Sequence, residues 1–425
     1  MTAPDSHSMN NPSSTRVAVI GAGVVGLCTA LELQREGFQV TLIDKNEAGL
    51  GASFGNAGYL ATELVDPLST TKTLRSALSM WLNPHGPLSL PLGYFHRILP
   101  WLIRFILAAK PKTAQQGRLA LAALNQASVP AWKRCLHDIG ASEQLLKSGY
   151  LLVWESRHKI QEAKDHAAYL NTWGIQTELV QGDALQQLEP ELANTVNHAL
   201  FFPNAHRVKE PYQLCKLLFS AFKARGGSFK KEAVIDLIAN INSISIQTEK
   251  SRYHFDKAVI CAGAWSKQLL LKVGLEVPLE AERGYHLTFQ TNKIKLNHLI
   301  GSAERKFVIS PLDSGLRAVG MTELGGLTLK PFKQRFISLF HHSNKLLPTL
   351  KESTIDTEEW MGFRPTLPDS LPIIDKHPSY PHLFFAFGNQ HLGLTQAAIT
   401  AELIVELMMG RTNKINCDSF KVDRF

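Results

Sequence analysis

The stretch VAVIGAGVVGLCTALELQREGFQVTLID, Val17 to Asp44, constrains this chain more than any other. Residues 17–20 are a short, continuous apolar run of the kind a buried parallel strand requires. Gly21, Gly23 and Gly26 follow in a G-x-G-x-x-G pattern, with Val24 and Val25 between the last two. In such a pattern the first glycine permits a tight turn, the second lets backbone approach a pyrophosphate, and the third lets the next helix sit close to the strand. Leu27, Ala30, Leu31 and Leu33 continue a helical apolar face, Gly37 stops that helix, and a second strand ends on Asp44, 18 residues beyond Gly26. A carboxylate at that distance is placed to accept hydrogen bonds from a ribose hydroxyl, which argues against a 2′-phosphate and hence against NADP. The unit reads as the cradle for the ADP half of a dinucleotide. It does not separate NAD from FAD.

Segments outside the unit separate them. After Asp44 comes Lys45 and then a small, glycine-rich loop containing Ser53, Gly55, Asn56, Ala57 and Gly58, where a simple dehydrogenase would continue with another helix and strand. KAVICAGAWS, Lys257 to Ser266, again runs an apolar strand into a small-residue turn, so Cys261, Ala262, Gly263 and Trp265 permit a second close backbone approach. Near the C-terminus, LFFAFG leads through Gly388, His391, Leu392 and Gly393 into a long apolar helix expected to begin near Leu394 or Thr395. The free amides and positive end of that helix would stabilise the negative charge of a reduced flavin. Cofactor-related segments spread from residue 21 to 395 suit a discontinuous flavoprotein domain better than a compact NAD domain.

Composition narrows the remaining classes. At 425 residues, 44% hydrophobic and 19% charged, the chain has material for two interleaved or consecutive domains. Residues 1–15 are polar, without the basic start and apolar stretch of a signal peptide, and are expected to be a flexible tail. The five cysteines, at 28, 135, 215, 261 and 417, form no CxxC pair, which disfavours disulfides and a metal site and suits a reducing, cytoplasmic location. The net charge of +8 is dispersed, so a nucleic-acid partner is not expected. Gly93 to Lys112, GYFHRILPWLIRFILAAKPK, is too short and too charged to span a bilayer. It fits a helix packed on the protein's own core, or one lying in a membrane interface on the inner face of the cytoplasmic membrane.

Taken together, GAGVVG with Asp44, SFGNAG followed by NPHGPLSL, RGYHL at 283–287, GFRPTLPDSLPIID and HLGLTQAAITAELIVELMMGR resemble the FAD-dependent D-amino acid dehydrogenases of single-chain bacterial type, within the D-amino acid oxidase superfamily. The resemblance implies an α/β fold, with a Rossmann-like FAD-binding domain of the glutathione-reductase type interleaved with an α+β substrate domain whose mixed β-sheet lies over the flavin. It apportions 16–84, 206–275 and 358–415 to the first domain and 85–205 and 276–357 to the second. It also implies oxidation of a D-amino acid to an imine, hydrolysis to a 2-oxo acid and ammonia, and passage of electrons to a respiratory quinone or other acceptor. By family position, Val234 meets the adenine through its backbone. Members often carry Gly-His-Gly before the final helix, whereas here Gly388-Asn389-Gln390 precedes His391. No cysteine lies near GFRPTLPD and no histidine lies in GASFGNAG, so the FAD is expected to be non-covalent.

An amino-acid substrate brings a carboxylate, and a buried carboxylate favours the forked guanidinium of arginine. Arg364 in GFRP is the leading candidate. Arg283 and Tyr285 would share one face of a strand with His286 on the other, which makes Tyr285 a candidate partner for the carboxylate or amine and His286 a structural residue. His391 completes the candidate set. No general base is required, because hydrogen on Cα can leave as hydride once the amine is neutral. A glycine, sarcosine or D-proline oxidase, an L-amino-acid deaminase, or a flavin-bearing subunit inactive on its own would carry the same FAD motifs.

Overall fold

Arg16–Ile20, the first strand of the glycine-rich unit, lies third in a six-stranded sheet of the computed structural model, which describes residues 14–291, 293–352 and 355–425. The expected tail falls outside the described residues except for Ser14 and Thr15. Across the sheet the order is Ser228–Lys231, Gln39–Asp44, Arg16–Ile20, Lys257–Ile260, Leu383–Phe387 and Ile373–Lys376. The first five are parallel and the last turns antiparallel against Phe384–Phe387. Fully buried, continuously apolar strands are what a parallel sheet covered on both faces demands. Val24–Arg35 returns the chain between the first two strands, and Gly37 closes it in the left-handed region at φ +89°. The helix Gly393–Met408 packs along Val24–Arg35. Pro111–Asp138 covers it in turn, with Trp132 Nε1 donating to the Leu394 carbonyl over 2.8 Å.

A second, nine-stranded sheet is mixed, as the resemblance implies. Its path runs through Thr357–Thr366, Glu280–Phe289, Gly315–Leu324, Phe307–Leu312, Leu299–Ser302, Tyr150–Trp154, His198–Phe202 and Glu178–Gln181, with Leu88–Ser89 beside Gly315–Leu324. Pairing is parallel only between Leu299–Ser302 and Tyr150–Val153 and between Thr322–Glu323 and Leu88–Ser89. One boundary moves: Thr357–Thr366 pairs along its whole length with Glu280–Phe289, so a division at 357/358 cuts a strand of the larger sheet. Nothing in TEEWMGFRPT breaks a strand before Pro365, which explains why the chain stays in that sheet to Thr366. A small sheet of Tyr59–Leu60, His206–Val208 and Leu145–Lys147 stitches segments of both parts together.

Within 93–112 the chain forms the helix Phe95–Ala108. Ile98 and Trp101 pack inward, Trp101 donating to the Thr366 carbonyl, while Leu99, Ile103, Ile106 and Leu107 stay exposed. Among the described residues no helix is long and apolar enough to cross a membrane.

Candidate active site

A single cavity of about 1630 Å³ joins the glycine-rich turn to the cleft under the larger sheet. That exceeds the about 300–1,000 Å³ usual for one ligand pocket, and leaves room for an extended dinucleotide and a second small molecule. At one end the wall is backbone. Gly21 has φ +110°, and a Cβ there would lie 2.4 Å from the Cys261 carbonyl oxygen. Gly26 lies behind the wall, where a Cβ would lie 1.9 Å from the Gly21 carbonyl, so its role is close packing of helix on strand. Ser53 Oγ accepts from the Val24 amide over 2.9 Å and ties the small-residue loop to the helix start. Asp44 accepts from the Ala22 and Asn46 amides at 2.8 and 2.9 Å, so this acid also fixes the turn it faces.

The other expected segments converge on the same space. Gly23, Val24, Val25, Lys45, Gly55, Asn56, Ala57, Val234, Ala262, Gly263 and Trp265 all line it, Lys45 with its ammonium 4.0 Å from the Trp265 ring centroid. So do Gly388, His391, Gly393 and Leu394, at the N-terminus of the Gly393–Met408 helix. Gly58, Leu392 and Thr395 do not reach the surface of the cavity. Thr395 instead accepts from the Ala61 amide over 3.0 Å, and Gly58 takes its amide to Asn56 Oδ1 at φ +73°. Burial holds the Cys261 thiol at about 12, well above the thiolate range.

The strand Glu280–Phe289 sets the chemistry of the far end. Arg283 and Tyr285 do share a face; Arg283 does not reach the cavity, whereas Tyr285 borders it with its side chain fully buried. Arg283 is fully buried, pairs with Glu323 over 2.7 Å and donates to the Leu329 carbonyl. The Tyr285 hydroxyl is committed to Glu323 and to the Phe332 amide. Arg283 therefore lies away from the cavity, contrary to the sequence expectation, and the Tyr285 hydroxyl, though its residue borders the cavity, is already engaged within the protein. The opposite face carries Glu282, Gly284 and His286. His286, expected to be structural, lies under the glycine-rich loop, with Nδ1 3.1 Å from the Gly55 carbonyl and its ring stacked on Trp360. Burial first, then the Arg317 charge, lowers it to about 3, so it stays neutral.

Arg364 lies flat over Gly284, where a Cβ would come within 2.4 Å of its Cζ. Its Nη1 donates to Glu282 at 2.8 Å and to the Met321 carbonyl at 3.3 Å. Met321 has φ +58° and is skipped between the Gly284–Thr322 and Tyr285–Gly320 pairs, a bulge beside the site. Thr322 and Thr366 donate to the two oxygens of Glu282 at 2.9 and 2.8 Å. Burial alone would raise Glu282, but the Arg364 charge and these hydrogen bonds bring it below its ordinary value. His391 stands close enough to feel both charges, and burial keeps it neutral, at about 4. Among the described residues, Nε and Nη2 of Arg364 have no protein hydrogen-bond partner. That pair of N–H groups is an open side-on edge for a carboxylate.

Residues 16–407 match the family described as FAD dependent oxidoreductase, DAO. The chain belongs to that family. It is 31% identical to a D-amino-acid oxidase of Bradyrhizobium diazoefficiens, covering 97% of this chain and 100% of that protein. It is 26% identical to a D-amino acid dehydrogenase of Neisseria meningitidis, over 96% of this chain and 99% of that protein. Among solved structures, glycine oxidase from Geobacillus kaustophilus superposes with a TM-score of 0.78 at 19% identity, covering 97% of this chain and all of that one. L-proline dehydrogenase from P. horikoshii gives 0.74 at 19% identity, over 97% and 98% of the two chains. Identities this low establish the fold. As a member of the family the chain is an FAD-dependent oxidoreductase, and the backbone cradle at Gly21–Gly23, closed by Asp44, fits that cofactor.

Three features of the far end carry no sequence signal. Glu282 sits in a strand buried on both faces, Trp360 fills the space over Gly55 and Gly362, and Glu63 lies in ATELVDPLST, which reads as a surface loop.

Proposed function

We propose that this FAD enzyme oxidises D-amino acids to imines, which water hydrolyses to 2-oxo acids and ammonia. The observation that carries the reading is the open Nε–Nη2 edge of Arg364 in the cavity wall, held by Glu282 on its other edge. A carboxylate seated there is gripped by two charge-assisted hydrogen bonds, and the Cα beyond it lies in a cleft walled by Met321, Trp360 and neutral His391. FAD, when bound, accepts the hydrogen that leaves Cα. The chain's own part is orientation, exclusion of water and a neutral surround, in which the amine reacts in its deprotonated form. Gly21, Gly23, Ser53, Asn56, Val234 and Gly263 are assigned to the cofactor, held without a covalent bond, since no cysteine lies near GFRPTLPD and no histidine in GASFGNAG.

The relatives' names divide between oxidase and dehydrogenase. We assign electrons to a quinone or similar acceptor, with the protein resting on the membrane through Phe95–Ala108. That helix leaves Leu99, Ile103, Ile106 and Leu107 exposed, and Arg97, Arg104, Lys110 and Lys112 flank them. The test is a panel of D- and L-amino acids, glycine, sarcosine and D-proline, followed by dye reduction under nitrogen and by oxygen uptake in air. D-amino acids should reduce the dye faster than oxygen is consumed. Reduction by L-amino acids alone, or by none, would overturn the assignment.

A further inference from the structure

Glu63 lines the cavity and is 8% exposed. Its Oε2 is buried without a hydrogen-bond partner, and no cation of the protein acts on the carboxyl. Beside it stands the buried hydroxyl of Tyr59, near enough to ease the charge on the carboxyl but outside good hydrogen-bond geometry, so neither oxygen is well satisfied by the protein. Tyr150 lies against Tyr59 with ring centroids 4.7 Å apart, and all three residues face the cavity. A carboxyl taken out of water with no cation beside it and one oxygen left without a well-placed donor is costly, and so is a poorly satisfied phenol oxygen next to it. A ligand rich in N–H groups and carrying positive charge satisfies both oxygens at once, and the tyrosine faces attract the same charge.

The cation in question is not the α-amine. Oxidation requires that amine in its neutral form, and a buried carboxylate at its side would hold the proton on. The carboxylate end of the substrate is already taken by Arg364, on the reading above, on which this inference rests. A positive group at the far end of the side chain remains. We propose that Glu63, with Tyr59 and Tyr150, forms a side-chain subsite selecting D-amino acids that carry a second, cationic nitrogen of the ammonium or guanidinium class.

The test compares kcat/KM of the FAD-loaded enzyme for D-lysine with that for D-norleucine, which has the same chain without the charge, and repeats both with Glu63→Gln. The wild-type ratio should exceed about 10, the scale of one desolvated charge-assisted contact, and should fall toward 1 in the variant. A ratio near 1 in the wild-type enzyme overturns the subsite and needs no variant that folds. A ratio unchanged by Glu63→Gln overturns it equally. If no amino acid of either hand reduces the enzyme, the reading of the reaction fails and the subsite with it, a result distinct from reduction by D-norleucine with no preference for D-lysine.

Discussion

Arg364 and Glu282 face each other across paired strands, joined over 2.8 Å, with the guanidinium laid on Gly284. The pairing does two things. It offsets part of the cost of burying the arginine, and it turns the free Nε–Nη2 edge in a fixed direction. A forked cation so held behaves as a preformed carboxylate receptor, with little side-chain entropy left to lose on binding.

Gly284→Ala isolates that geometry. The added Cβ would sit 2.4 Å from Arg364 Cζ, and what must yield is the end of a flexible side chain, not backbone. Fold stability should change little, while the arginine leaves its place. The expected loss is about 10- to 100-fold in kcat/KM for amino acids, the worth of about 1.5–3 kcal/mol of charge-assisted hydrogen bonding, read mainly in KM. Retained FAD absorbance with unchanged KM would show that Arg364 does not hold the carboxylate.

The Arg283, Tyr285 and Glu323 cluster predicts the opposite pattern. Arg283 and Glu323 are both almost wholly buried, so Arg283→Ala leaves a carboxylate stranded in the interior. The expected cost is about 3–5 kcal/mol, enough to suppress folded yield. Tyr285→Phe removes one hydroxyl between Glu323 and the Phe332 amide and should cost about 1–2 kcal/mol in stability, with KM within about threefold of wild type. A large rise in KM without a fall in melting temperature would return Tyr285 to the substrate site.

The contrast between these residues shows where the sequence is readable. The glycine turn and Asp44 are legible because each requirement, a positive φ, a close approach, an acid at a strand end, is met within one βαβ unit. Parity along Glu280–Phe289 is legible too, and it pairs Arg283 with Tyr285. Which parity faces the cavity is not, because every residue of that strand is buried and both faces carry charge. The side is decided by what covers it, the Lys333–Leu346 helix on one face and the cofactor loop on the other. Glu282 and Glu63 are single acids without a local pattern. Only the fold brings them to the cavity.

Gly21→Ala tests the legible part. The residue is at φ +110°, and its Cβ would press on the backbone carbonyl of Cys261, which cannot step aside without moving the central strand Lys257–Ile260. The backbone strain alone costs about 1–3 kcal/mol. Purified protein should carry much less flavin per chain than wild type, measured as the ratio of visible to near-ultraviolet absorbance. Full flavin occupancy would remove Gly21 from the cofactor site.

Glu63 should make stability depend on pH in a specific direction. Burial raises its carboxyl from the ordinary 4.5 to about 7, so the folded chain binds this proton more tightly than the unfolded one. Its cost is absent below pH 4.5, grows as pH rises through that value, and is complete above about pH 7, where it amounts to about 3 kcal/mol. Glu63→Gln keeps the shape and removes the titration. With FAD bound and no amino acid present, the variant should therefore gain on wild type by on the order of a few degrees in melting temperature between pH 5 and pH 8. A difference between the two proteins that is the same at both values would mean that Glu63 does not carry an uncompensated charge in the folded state.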